Sequence, residues 1–174
     1  MNDTFDKVGS QMDPITKLIS LLPGFSGYVK RENRRAADKL VREAVANRFE
    51  EQWRRISNTQ GELVSAGKIE FVDDIEKAAL QVRTFVDKIR TAARGYAGLF
   101  DAVKIGEKEL EQLYNFDLAF FDLAAELGRG IDNVEASIGD DNALPAAIRN
   151  ITTLGRQAVE TFNRRSEAFS AGEK

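Results

Sequence analysis

The chain has 174 residues, 43% of them hydrophobic and 30% charged, with a net charge of −3. That length suits one soluble globular domain and buries roughly two thirds of its surface without metal or disulfide. Cysteine and histidine are both absent, which excludes a disulfide framework, a thiolate zinc site, a cysteine nucleophile and the carboxylate–histidine di-iron site of ferritin-like bundles.

No apolar run approaches the ~20 residues that span a bilayer. The acidic, polar start Met1-Asn2-Asp3-Thr4-Phe5-Asp6 does not read as a secretory signal, and the expected location is cytoplasmic, with the membrane surface as a second option. The three prolines, Pro14, Pro23 and Pro145, leave about 120 residues free of this helix breaker. Apolar residues recur at steps of three and four rather than in alternation, so the chain reads as all-α.

Residues 1–27 read as a polar tail, a short amphipathic helix and a Pro/Gly linker. Asp13-Pro14 is a good helix start, and Ile15, Leu18, Ile19 and Leu22 fall on one side before Pro23-Gly24 ends the segment. A long helix follows from about Tyr28 to Ala66, its apolar face formed by Ala37, Leu40, Val41, Ala44, Val45, Phe49, Trp53, Ile56 and Leu63. Ser57-Asn58-Thr59-Gln60-Gly61 is its weak point, because these residues compete for backbone bonds or cost backbone entropy. Gly67 suits the position just past its end.

The next helix, about Glu70 to Lys104, has the clearest pattern. Val72, Ile75, Ala79, Val82, Val86, Ile89, Ala93, Tyr96, Phe100 and Val103 step by 3, 4, 3, 4, the 3.5-residue period of a seam packed knobs-into-holes. Lys104-Ile105-Gly106 reads as a tight connection. The helix from about Glu107 to Ile138 repeats the spacing with Leu110, Leu113, Asp117, Phe120, Ala124, Leu127, Ile131, Val134 and Ile138. After a Gly139–Asn142 turn, in which Asn142 is the expected N-cap, a last helix spans about Ala143 to Ala168. Its seam is Leu144, Ile148, Ile151, Gly155, Ala158, Phe162, Arg165 and Phe169. Four long helices joined by short turns predict an antiparallel up-down-up-down four-helix bundle over residues 28–174, preceded by the short N-terminal helix.

Asp117 and Arg165 are the only charged positions in the last two seams. Pairing those helices about their turn puts both on one layer, which predicts a partly buried ion pair that sets register. The same pairing sets Gly128 beside Gly155, for close helix approach or a small ligand cavity. Two charge features stand out. Ten acidic residues against Lys108 and Arg129 leave Ile105–Ala143 at −8, read as a solvated face rather than a metal site. Lys30, Arg31, Arg34, Arg35, Lys39 and Arg42, less Glu32 and Asp38, leave Tyr28–Arg42 at +4.

This basic patch adjoins Ile15, Leu18, Ile19, Leu22 and Phe25. Such a pairing either docks over one end of the bundle or serves as a partner or membrane patch, with the apolar face inserted and the cations on anionic headgroups. Phosphate-binding glycine loops, recognition helices and aromatic platforms for nucleic acid are all missing. The leading expectation is a non-enzymatic interaction or scaffold module, without cofactor, that binds another protein or a second copy of itself through charged helix faces. A peripheral membrane protein and a bundle holding a small ligand or metal are the alternatives.

Overall fold

The structure, a computed structural model, describes residues 14–25, 34–92 and 106–170. It is all-helical, with no strand among those residues. In chain order come α1 (Pro14–Leu21), α2 (Arg34–Ser65), a 3₁₀ turn (Ile69–Phe71), α3 (Val72–Thr91), α4 (Glu107–Ser137) and α5 (Leu144–Ser170). The seam positions expected at Ala93, Tyr96, Phe100 and Val103 lie outside the described residues, as does the side chain of Phe169.

Local chemistry accounts for the ends. At the close of α2, Gly67 takes a φ of +74°, which costs an L side chain about 1–2 kcal/mol. Its N–H bonds Val64 O at 3.0 Å and the N–H of Lys68 bonds Leu63 O at 2.8 Å, the two bonds of a Schellman cap. Ser57-Asn58-Thr59-Gln60-Gly61 does not interrupt α2. Ser57 and Thr59 donate their hydroxyls to the carbonyls of Trp53 and Arg55, four residues back, so their competing hydrogen bonds are satisfied within the helix. α3 has Asp73 and Asp74 in its first turn and Lys88 and Arg90 in its last, each opposing the local end of the helix dipole. Before α5 the turn is held by Asp140 and not by Asn142: Asp140 Oδ1 accepts from the N–H of Asn142 at 2.9 Å and of Ala143 at 3.2 Å. An Asp at the first position of the turn reaches both donors, whereas Asn142 already lies inside it.

The helices pack in a closed ring of neighbours, α2 on α3, α3 on α5, α5 on α4 and α4 on α2, with α1 laid on α4. α3 and α4, consecutive in the chain, therefore face each other across the centre instead of lying side by side. The tight connection expected at Lys104-Ile105-Gly106 falls largely outside the described residues. Four phenylalanines fill the middle, one from each long helix. Phe85 of α3 has ring centroids 4.2 Å from Phe49 of α2, 5.1 Å from Phe120 of α4 and 6.4 Å from Phe162 of α5. Tilted and edge-on contacts of this kind add to the burial of the rings themselves.

The buried face of α2 is rotated from the expected one. Ala37, Val41, Val45, Phe49, Ile56 and Leu63 are buried as the spacing suggests, but Leu40, Ala44 and Trp53 are only partly covered. Asp38, Arg42, Ala46 and Thr59 are buried in their place. α1 joins the same core, with Leu18 and Phe25 fully buried and Leu22 nearly so, and Phe25 meets Tyr114 edge-on at 5.9 Å. Among the described residues no helix is long and apolar enough to cross a membrane.

Candidate functional site

The most unusual chemistry in the molecule sits inside it. On α2, Asp38 and Arg42 are one helical turn apart and occupy the column next to the seam residues Ala37 and Val41, so both turn inward. Asp117 on α4 and Arg165 on α5 interrupt their own apolar seams and are each 1% exposed. The four side chains form one cluster from three helices. Arg165 Nε donates to Asp117 Oδ1 at 3.0 Å and Arg165 Nη2 donates to Asp38 Oδ1 at 3.1 Å. Arg42 Nε donates to Asp38 Oδ2 at 2.7 Å.

Two carboxylates and two guanidiniums balance in charge, which is the condition for leaving four ionisable groups in a core. The balance is uneven in hydrogen bonds. Each oxygen of Asp38 has a guanidinium partner, whereas Asp117 Oδ2 is buried without one. Burial accordingly pushes the Asp117 carboxyl up to about 6, with the Asp38 charge adding to the rise and Arg165 and Arg42 opposing it. The cluster ties α5 to α2 and α4 at one end of the ring.

Sequence spacing placed Asp117 and Arg165 on one layer but missed Asp38 and Arg42, which it counted within an exposed basic patch. Arg42 is buried and engaged with Asp38, so neither contributes to a surface charge. Lys39 stays exposed, within 3.8 Å of Glu43. Lys30 and Arg31 lie outside the described residues, and so do the side chains of Arg34 and Arg35.

Of the two readings open for the apolar N-terminal residues, docking on the bundle is the one the structure supports. Leu18, Leu22 and Phe25 are buried in the bundle core and Ile15 is half-buried against it, leaving Ile19 as the exposed member. Docking wins because that face completes a core already present on α4, at about 25 cal/mol per Å² of apolar surface covered.

The two helix glycines do not face each other. A side chain at Gly128 would meet Gln52 of α2, and one at Gly155 would meet Gln81 and Val82 of α3. It is Gly130 that lies against α5, beneath Ile151 and Leu154. The two positions therefore serve helix approach on different sides and do not bound a shared cavity.

Part of the acidic segment is neutralised across the helices. Arg55 of α2 reaches Asp132 at 2.6 Å and Glu135 at 3.2 Å on α4, and also donates to Gly128 O at 3.3 Å. The hydrogen bond that Arg55 donates to Asp132 raises the Arg55 pKa further, against the effect of burial. Lys68 pairs with Asp141. On the far side of α2, Arg90 of α3 bonds Glu50, and Arg83 stacks over Trp53 at 5.2 Å. Glu111, Asp122 and Glu126 remain exposed along one outer face of α4, with no ion pair to a described residue. Among the described residues no group of three or more acidic side chains converges as a metal site requires.

No family model matches the chain, and no curated protein or solved structure matches it.

Proposed function

We propose that this protein is a non-enzymatic helical interaction module whose outer α4 face binds a basic partner protein. The observation that carries the reading is the division of the α4 acids. Asp117 is used in the core, Asp132 and Glu135 tie α4 to α2, and Glu111, Asp122 and Glu126 are left exposed in a row on one face. These acids have no internal ion pairs and share their face with exposed Arg129, and the net acidic surface favours approach of an opposite potential and discourages acidic competitors.

The scaffold that presents this face is a four-helix bundle whose long helices alternate in direction along the chain, so that the ring neighbours α2/α3 and α4/α5 are antiparallel while α2/α4 and α3/α5 are parallel. Supporting that topology, Phe49 meets Phe85 and Trp53 meets Arg83 in opposite order along α2 and α3, and Asp117–Arg165 and Gly130–Ile151 do the same along α4 and α5. Asp38 shares Arg165 with Asp117 while Arg55 meets Asp132 farther along, so α2 and α4 run the same way.

The test is non-covalent pull-down from native lysate with the wild-type chain and with a Glu111→Lys, Asp122→Lys, Glu126→Lys variant. The reading expects one defined protein held at low salt, released near about 0.5 M salt, and absent from the charge-reversed variant. Equal recovery by both chains, or recovery insensitive to salt, would overturn it.

A further inference from the structure

We propose that the buried four-residue cluster is a proton-binding element, in which Asp117 rather than Asp38 takes up the proton and mild acid raises the stability of the folded chain. The geometry of Arg165 supports this. Its Nε and Nη2 form one edge of the guanidinium, the edge that a single carboxylate engages with both oxygens in a bidentate pair. Here two carboxylates share it, Asp117 on Nε and Asp38 on Nη2. Two like charges on one edge repel, and the resting arrangement favours neutralising one of them.

Which one follows from the remaining oxygens. Asp38 Oδ2 is held by Arg42 at 2.7 Å, so a proton on Asp38 would displace a charge-assisted bond. Asp117 Oδ2 is buried and accepts no hydrogen bond, so a proton there displaces nothing and removes a desolvated charge. The charged groups acting on Asp117 are Asp38 and Arg42 from α2 and Arg165 from α5. α1 brings a single charged side chain among its described residues, Lys17.

The direction of the effect follows from linkage. A carboxyl near 6 in the folded chain and near about 3.9 when unfolded binds more protons in the folded state between those values. Its stabilising contribution is complete below the lower value and is lost as pH rises through the upper one. Between about pH 7.5 and about pH 5 it raises the folding equilibrium constant about tenfold.

The experiment has two arms. The first follows the Asp117 side-chain carboxyl by carbon NMR in the wild-type chain, where titration near 6 is expected and titration below about 4 would overturn the proposal. The second compares urea unfolding of the wild type and Asp117→Asn, the neutral isostere, at both pH values. The wild type should show the tenfold gain over and above any change in the variant, and identical pH dependence of the two chains would overturn the proposal. If Asp117→Asn does not fold, the titration arm decides alone.

Discussion

Replacing Arg165 by Met removes the one side chain that bonds both acids of the core and keeps an apolar stem in its place. Asp38 keeps Arg42, while Asp117 loses its single hydrogen bond. Removing one partner of a fully buried ion pair costs ~3–5 kcal/mol, because an uncompensated charge is left behind, and we expect that loss at about pH 7.5. The penalty then shrinks in acid. Arg165 lowers the Asp117 pKa in the wild type, so without it the carboxyl takes up its proton at higher pH. From about pH 7.5 to about pH 6 the variant is protonated where the wild type is ionised, and at about 1.4 kcal/mol per pH unit this recovers at most about 2 kcal/mol. Urea unfolding followed by far-UV circular dichroism at both pH values measures the two differences. A loss under about 1 kcal/mol at the higher pH, or a penalty that grows on acidification, would refute the placement of these charges in one desolvated cluster.

Further expectations follow from the packing. Phe85→Ala removes the ring at the centre of the four-phenylalanine cluster and should cost about 3–5 kcal/mol of unfolding free energy, and a loss below about 1 would show that the ring is not central. The two helix glycines should respond in opposite senses. At Gly128 an added methyl meets only the flexible end of Gln52 at 3.3 Å, so Gly128→Ala should stabilise by up to about 1 kcal/mol through helix propensity. At Gly155 it meets Gln81 Cβ at 2.9 Å and Val82 beyond, so Gly155→Ala should destabilise by about 1–3 kcal/mol; equal effects in thermal melts would contradict the assigned neighbours. Leu18→Asp places a charge where a fully buried leucine sits on α4, forfeiting about 1.5–3 kcal/mol of burial. Amide exchange should then quicken in α1 and leave α3 unchanged, whereas unchanged protection in α1 would mean that it is not docked.

The apolar period carried most of the architecture. In α3 and α5 every described seam position is buried or partly buried, since a 3.5-residue repeat leaves one solution for which side faces inward. Asp117 and Arg165 were legible for the same reason: a charge in an otherwise apolar column stands out. Asp38 and Arg42 did not, because they lie amid lysines, arginines and glutamates and their burial depends on a rotation of α2. The available signal was the paired columns 37/38, 41/42 and 45/46, where a one-turn Asp–Arg pair sits beside three small apolar residues. The position of α3 across from α4 left no trace in the repeat, because a heptad seam says which face is buried and not which neighbour covers it. The same limit explains Gly128 and Gly155. Pairing two helices about their turn sets their common layers, but each glycine faces a third helix.

Charges from α2, α4 and α5 meet in one buried cluster, and its defining contact joins Asp38 to Arg165, 127 residues apart. A double-mutant cycle with Asp38→Asn, Arg165→Met and the pair together isolates their coupling by urea unfolding. We expect a coupling of at least about 1.5 kcal/mol at about pH 7.5, within the range of interacting buried residues. Additivity within about 0.5 kcal/mol, the behaviour of distant sites, would contradict it.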